Sequence, residues 1–465
     1  MRIFIGFIVL SVHFLVQAAP VYPFPQNAQY PFGIQPAAIN TDRIQAFYET
    51  YIQRFYEESP DKSMARIKWD TPSQTVSEGI GYGMLITVYM DNAINNTREK
   101  FDRLWKYYNS FLNMNGLMNW KIDGFGGIAG QNAATDAEMD VAAALLQAHK
   151  QWGDQKYLDD ARSIIDKIWK HEVNANGYLK PGDTWDSKKN PSYFSTAALE
   201  SFKHAGSQDW NRVIASSYTL LKKVQNPTTG LVPDWCQENG GSTGNDYFYD
   251  AARTPWRIAW GYLWYGHNDA KDFCSKIAGW ITSSSGGNPA TVGDHYTLDG
   301  NKTSSVLTST FLGGFALAAT VDAAHQNWLD KAYKVQDSLI DVEEKYFGSS
   351  LKMIYLLLLS GNMPDLWNPP AHVTHRERIF GDAPELSLSP VSMNGGNFRY
   401  TVSRDGMATL DILSLQGKLI ARPVNGYLQT GIHTALLPAS LGNGVYMATL
   451  RTGSGECSRT FTVNR

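Results

Sequence analysis

The segment Ser77–Asp91, SEGIGYGMLITVYMD, decides how the rest of the chain is read. It opens on Ser77 and Glu78, passes through glycines at 79, 81 and 83, and runs into the apolar stretch Met84–Met90. Ser77 is expected to act as an N-cap, its hydroxyl taking one of the orphaned amides of the first turn. The glycines cost helix stability but allow a neighbouring backbone, side chain or ligand to come close to that face. They are not a dinucleotide fingerprint, because no strand precedes them and no βαβ unit surrounds them. A carboxylate at the mouth of an apolar helix is either an ordinary first-turn acid favoured by the helix dipole or a group with chemistry to do. The neighbouring segments decide between the two.

Outward from this stretch, apolar residues recur at three- and four-residue spacing with breakers between them. The pattern predicts helices near 41–58, 77–92, 96–112, 135–152, 155–173 and 192–206, and again near 209–226, 252–266, 268–284, 303–324, 327–341 and 345–360. Their character alternates. The odd members, such as NTREKFDRLWKYYNSFL and QKYLDDARSIIDKIWKHEV, carry a charged face. The even members, such as DVAAALLQAHKQW and SVLTSTFLGGFALAA, are rich in small residues and nearly apolar, as helices buried all round must be. Six inner helices inside six outer ones satisfy both patterns, so an all-α (α/α)6 barrel is expected. An open α-solenoid is the competitor, but no internal repeat of fixed length is visible.

The ends of the chain read differently. Residues 1–18 have the form of a secretory signal: Arg2, the apolar run Ile3–Val16, and Val16-Gln17-Ala18 as a small-residue cleavage site. The mature chain is then expected to begin at Ala19 and to lie outside the cell or on its surface. The apolar run is too short to span a bilayer, and no later segment qualifies. Beyond a helical domain over 19–362, residues 363–384 read as a Pro-containing linker. The remaining segment, 385–465, carries short alternating runs at Phe398–Val402, Ala408–Leu413, Lys418–Ala421, His433–Leu437, Val445–Leu450 and Ser458–Val463, the pattern of a small β-sandwich.

Composition excludes several functions. Net charge is −3 with no basic patch, which argues against nucleic acid as a partner. The ten histidines show no HExxH and no paired spacing, so neither a metal nor any other cofactor is implied. The three cysteines, Cys236, Cys274 and Cys457, are too few for a disulfide framework, and whether Cys236 and Cys274 pair is left open. A monomer is expected. The 14 Trp, 24 Tyr and 20 Phe fit either a core rich in large rings or a groove that stacks on sugars. Trp105, Trp169 and Trp280, at helical spacing within apolar faces, read as core.

Three segments place a carboxylate at or just before an even helix: Glu78, Asp136 in ATDAEMDVA, and Asp250 in YDAARTPWR. In a closed barrel the even helices run parallel, so these groups are expected to meet at one end. Paired carboxylates across a groove are the apparatus of glycoside hydrolysis, one giving its proton to the leaving oxygen and the other activating water. A helix N-terminus favours the charged form, so an acid there must be kept neutral by burial and a like-charged neighbour. Glu78 with Asp136 beside it meets that demand. Arg253, one turn beyond Asp250, would keep Asp250 ionised.

These segments resemble family 8 of the glycoside hydrolases over roughly Ile39–Ser360. The resemblance rests on Ser77-Glu78-Gly-x-Gly-Tyr-Gly-Met, on Ala134-Thr135-Asp136 through Ala148-x-x-x-Trp152, and on Asp250-x-x-Arg253-x-Pro-Trp-Arg. Glu138 stands where the family usually has Asp, and Val141 where it has Ile or Met. The resemblance implies an (α/α)6 barrel and an inverting mechanism with Glu78 as proton donor, Asp250 as base and Asp136 at the sugar being cleaved. It implies substrate contacts at Trp120, Trp185 and Tyr193, with Arg253 beside them. An endo-β-1,4-glucanase acting on cellulose-type and mixed-linkage β-glucan is expected. The family also holds xylanases and chitosanases; the intact Ala-Thr-Asp and the aspartate at 250 favour glucan. A non-catalytic glycan-binding protein on the same barrel would have lost Glu78 or Asp250. The C-terminal segments LDILSLQGKLI and GNGVYMATLRTG resemble short sandwich modules of secreted bacterial polysaccharidases, associated with sorting or surface attachment. A plain accessory sandwich is the alternative. With no Trp beyond Pro384, the region lacks a stacking platform for cellulose.

Overall fold

Charged-faced and apolar helices alternate along the chain because they occupy two concentric rings. The computed structural model describes residues 19–370 except 242, and the strands and connections of the C-terminal region except 389–396, 403–405, 415–416, 430, 439–440, 453–454 and 464–465. The expected signal segment 1–18 and residues 371–385 lie outside the described residues. The outer helices are α1 (Thr41–Phe55), α3 (Arg98–Ser110), α5 (Gln155–His171), α7 (Trp210–Val224), α9 (Asn268–Ser284) and α11 (Gln326–Ser338). The inner ones are α2 (Ser77–Tyr89), α4 (Thr135–Trp152), α6 (Thr196–Phe202), α8 (Thr254–Tyr265), α10 (Ser309–Ala319) and α12 (Tyr346–Leu359).

Burial separates the two sets. In α5 the buried residues are Tyr157, Leu158, Ala161, Ile164, Ile165 and Ile168, a single stripe at three- and four-residue spacing. In α2 every residue but Glu78 is buried. The inner ring closes, with α2 on α4, α4 on α6, α6 on α8, α8 on α10, α10 on α12, and α12 back on α2. Closure excludes the solenoid. Glycines set how tightly the ring draws in. A Cβ on Gly81 would stand 2.9 Å from Asp140 Cβ, and one on Gly83 would stand 2.8 Å from Ile67. Trp105, Trp169 and Trp280 pack against the core, as their spacing predicts.

The helix ends differ from the periodicity where another interaction takes over the backbone. The first helix stops at Phe55 because Tyr56–Glu58 pairs with Ala65–Ile67. The tenth begins at Ser309 rather than 303. The sixth is Thr196–Phe202, preceded by a 3-10 turn at Pro191–Tyr193. Ser77 is not the N-cap of α2. The strand Gln74–Val76 pairs with Lys121–Asp123, and the Ser77 amide continues that ladder by donating to the Trp120 carbonyl at 2.8 Å. The cap position therefore falls on Val76, which has no side chain to offer.

The far end of the ring is closed by chain on both sides of it. The Pro-rich lead lies across the C-terminal ends of the inner helices, with Phe24 N–H on Asp91 O, Ala28 N–H on Gly361 O and Ile34 N–H on Thr320 O, all at 2.7–2.8 Å. Residues 363–367, which the sequence reads as the start of the linker, are also part of this closure. Met363 and Leu366 are fully buried, Trp264 donates to the Met363 carbonyl at 3.0 Å, and Trp367 donates to the Leu146 carbonyl at 3.0 Å. The helical unit accordingly runs to Thr374. Cys236 and Cys274 are buried free thiols, so the pairing left open by the sequence is not made.

The second unit begins at His375. Its four-stranded antiparallel sheet has the order Leu419–Leu428, Gly406–Ser414, Gly444–Thr452, Gly455–Val463, and its three-stranded sheet the order Gly431–Leu436, Asn397–Val402, Leu386–Leu388. Alternate residues face one shared core: Phe398, Tyr400 and Val402 from the smaller sheet, Ala408, Leu410, Ile412, Ala448 and Leu450 from the larger. The six expected strands are present; Leu386–Leu388 is an addition.

A chain ending at Thr374 is expected to melt as the helical unit of the full protein does, whereas one ending at Asn362 leaves the beds of Met363 and Leu366 empty. At about 1.5–3 kcal/mol per buried apolar side chain, the shorter chain is expected to lose roughly 3–6 kcal/mol. Thermal and urea unfolding of the two truncations checks this.

Candidate active site

Parallel inner helices bring their N-termini to one end of the ring, and the carboxylates expected there are found together. Glu78 sits in the first turn of α2 and Asp136 in the first turn of α4. Asp250 precedes a 3-10 turn, Ala251–Arg253, that leads into α8. Arg253 joins all three. Its Nη1 donates to Glu78 Oε2 at 2.6 Å and to Asp136 Oδ2 at 2.8 Å; its Nη2 donates to Asp250 Oδ1 at 2.7 Å. The guanidinium is 3% exposed, so these are contacts of a desolvated cation. One turn deeper the arrangement repeats: Arg257 makes two bonds to Asp140, and both side chains are buried.

The proton affinities follow from burial and sign. Burial pushes the Glu78 carboxyl up; Arg253 opposes that shift, Asp136 reinforces it, and the net position is about 7. Burial raises Asp136 as well, with Arg253 and Arg257 acting against it. Glu78 Oε1 accepts the Tyr346 hydroxyl at 2.8 Å. Gly79 makes that approach possible, since a Cβ there would lie 3.2 Å from the Tyr346 ring. Asp250 Oδ2 accepts the Trp235 indole N–H at 3.0 Å.

Glu78, Asp250 and Arg253 line an open cleft of about 600 Å³ whose walls include Trp69, Phe248, Tyr249 and Phe347. The aromatic residues singled out in the sequence lie around the same centre. Trp120 is 38% exposed, and its backbone carbonyl bonds the amide before Glu78. Trp185 is 38% exposed and its ring lies 5.6 Å from that of Trp235. The Tyr193 ring lies beneath the Arg253 guanidinium at 5.5 Å. Arg253 itself does more than its sequence position implied, serving three acids rather than one.

Tyr346, Trp235 and Asp234 escaped the sequence reading. Asp234, raised to about 6 mainly by burial, accepts the amides of Phe248 at 3.0 Å and Ala251 at 2.8 Å. The glycine at 79 was the available signal for Tyr346; Trp235 gave none, being one of many aromatics. Among the described residues no cluster of His, Cys, Asp and Glu has the makings of a metal site. An acid held neutral, a carboxylate paired to a cation and a cleft lined by rings form an arrangement suited to proton donation and water activation on a sugar.

Comparison with known proteins agrees with this geometry. The profile of the Glycosyl hydrolases family 8 matches residues 23–361. The chain is 37% identical over 383 residues to Endoglucanase 2 of Ruminiclostridium josui, covering 77% of this chain and 81% of that protein. It is 33% identical to a beta-glucanase of Niallia circulans, covering 74% of this chain and 92% of that one. Among solved structures, a beta-1,3-1,4-glucanase from Paenibacillus sp. X4 superposes with a TM-score of 0.69 at 31% identity, covering 74% of this chain and 99% of that one.

Two more carboxyl groups lie behind Asp136 and make no ion pair among the described residues. Glu138 and Glu172 are fully buried, and the only side-chain bond to either is that of Tyr108 to Glu138 Oε1 at 3.2 Å among the described residues. Burial holds both well above the usual carboxylate range, and the charge of Glu172 raises Glu138 further. A carboxyl raised in the folded state keeps a proton that the unfolded chain has lost above about pH 4.3, so stability falls as pH rises from there toward the folded value. Glu172→Gln removes one such proton. Its stability relative to the parent is expected to grow by about 1.4 kcal/mol per pH unit above pH 5, measured by urea unfolding at several pH values.

Proposed function

Because the chain belongs to glycosyl hydrolase family 8, an endoglucanase-like hydrolase by its relatives, we propose that it is a secreted inverting endo-β-1,4-glucanase. The observation that carries the reading is the setting of the two acids around Arg253: burial and Asp136 leave Glu78 protonated near neutrality against the pull of the guanidinium, which also bonds an oxygen of Asp250. In this reading Glu78 gives its proton to the glycosidic oxygen as the bond to the anomeric carbon breaks. A water on the opposite face attacks that carbon and passes its proton to Asp250. Glu78 is left ionised and Asp250 protonated, and exchange with solvent restores both. Asp136, bonded to the same guanidinium, sits where it can engage the reacting sugar, and Tyr193 lies against that guanidinium.

Trp120 and Trp185 supply partly exposed faces for stacking on glucosyl units. An open cleft suits attack within a chain. Mixed-linkage glucan is a second expected substrate, and the name of the Paenibacillus relative, a beta-1,3-1,4-glucanase, supports it. The form of residues 1–18 supports export. Xylan and chitosan are the alternative substrates within the same chemistry.

Hydrolysis rates on carboxymethylcellulose, mixed-linkage β-glucan, xylan and chitosan, measured side by side, are expected to be highest on a glucan; a clear preference for xylan or chitosan would overturn the substrate assignment. Proton NMR of the first minutes of glucan hydrolysis is expected to show the α-anomer as the initial product. Glu78→Gln and Asp250→Asn are each expected to lower kcat by about 10²–10⁴ while leaving the melting profile in place. Loss of the Glu78 proton sets the alkaline limb of kcat/KM, expected near pH 7 in the parent.

A further inference from the structure

Asp250 is held by two elements that are distant in sequence. Arg253, on its own turn, bonds Oδ1 at 2.7 Å, and the Trp235 indole N–H bonds Oδ2 at 3.0 Å. The residue before Trp235 holds the backbone of the same turn. Asp234 Oδ1 accepts the amides of Phe248 and Ala251, which flank Asp250 on either side. Consecutive residues thus grip both the carboxylate of Asp250 and the backbone that carries it.

The grip is itself anchored to the sugar-facing wall. Lys189 and Cys236 exchange backbone hydrogen bonds in both directions, at 2.8 and 2.9 Å, tying the Trp235 segment to the loop that carries Trp185. The Lys189 ammonium, 1% exposed, pairs with Asp186 on that loop and with Glu238 at 3.2 Å on the other. The Trp235 ring lies 5.6 Å from Trp185 and 6.3 Å from Tyr193, with the Lys188 ammonium over it at 4.2 Å. A tryptophan used only for stacking has no need to commit its N–H to an acid. Here that single donor is spent on Asp250.

We propose that Trp235 is the positioning residue of the water-activating carboxylate, its N–H fixing one oxygen of Asp250 while its ring locks that oxygen to the wall carrying Trp185. The proposal rests on the reading of Asp250 as base. A base must present one lone pair to water at a set angle. Two donors from separate elements leave Asp250 little freedom to turn, which is what a supporting shell supplies to a reacting group. Trp235 N–H is also a donor to a carboxylate oxygen, a bond that is stronger to the charged form than to the neutral one. The other ionisable groups facing Asp250 are Arg253, Asp234, Glu78 and Tyr193. None of these is altered when Trp235 is changed.

Trp235→Phe keeps a ring against Trp185 and removes only the donor. The acidic limb of kcat/KM is expected to move up by about one pH unit, a tenfold change in acid strength, and kcat to fall about tenfold with KM on glucan nearly unchanged. Trp185→Ala is the contrasting variant, expected to raise KM while leaving the acidic limb in place. An unmoved acidic limb in Trp235→Phe would overturn the proposal. Should that variant fail to fold, the parent protein with 15N-labelled tryptophan gives the answer: one indole N–H resonance is expected to titrate with the acidic limb and to stop doing so in Asp250→Asn. Absence of any such resonance would also overturn it. Full activity of Asp250→Asn would instead remove the base assignment on which the proposal stands.

Discussion

One buried guanidinium shared by three carboxylates constrains the rest of the helical unit. Arg253, itself 3% exposed, carries a single positive charge against Glu78, Asp136 and Asp250 at the floor of the cleft. Ionising all three would leave two uncompensated negative charges in a medium where each costs several kcal/mol. The site resolves this by leaving a proton on one partner, and Glu78, raised by burial and by the charge of Asp136, is that group. In the proposed mechanism the division of roles between acid and base is therefore not a property of Glu against Asp. It arises from which carboxylate shares a cation on a partly exposed edge and which faces an apolar helix with a second acid beside it.

The barrel exists in the form that this site needs. Three residues far apart in sequence can meet one guanidinium only if α2, α4 and α8 start at the same end, which a closed ring of parallel helices guarantees. The pair Asp140–Arg257 one turn deeper holds α4 and α8 in register by the same chemistry, with every charge matched. At the opposite end, the lead bonds groups just past the ends of α2, α10 and α12, and residues 363–367 bond groups within α4 and α8, so the ring is stapled away from the cleft. Glu138 and Glu172 show what happens without an ion-pair partner. They lie buried, and burial raises both despite the weaker opposing pull of nearby polar groups.

What the sequence made legible was whatever depends on local spacing. The alternation of charged-faced and apolar helices is written in each helix separately, and so is the offset of three that puts Arg253 on Asp250. The glycines at 79, 81 and 83 announced close approach, and the structure supplies Tyr346, Asp140 and Ile67 as the groups that approach. Long-range competition was not legible. Ser77 has the chemistry of a cap, but a sheet ladder to Trp120 claimed its amide and gave the cap position to Val76. Met363–Trp367 has the composition of a linker, yet its apolar members fill the closed end of the ring. Trp235 was one of 14 tryptophans, and only its bond to Asp250 sets it apart.

The account turns on where the proton sits in the free site. Labelling glutamate at its carboxyl carbon with 13C, and assigning Glu78 as the resonance missing from Glu78→Gln, reports that proton directly. The account predicts a carboxyl that stays protonated through pH 6 and titrates with a midpoint about 7. A Glu78 resonance already ionised at pH 5 would contradict it, for then the guanidinium would be holding three charges and the site would have no acid to give.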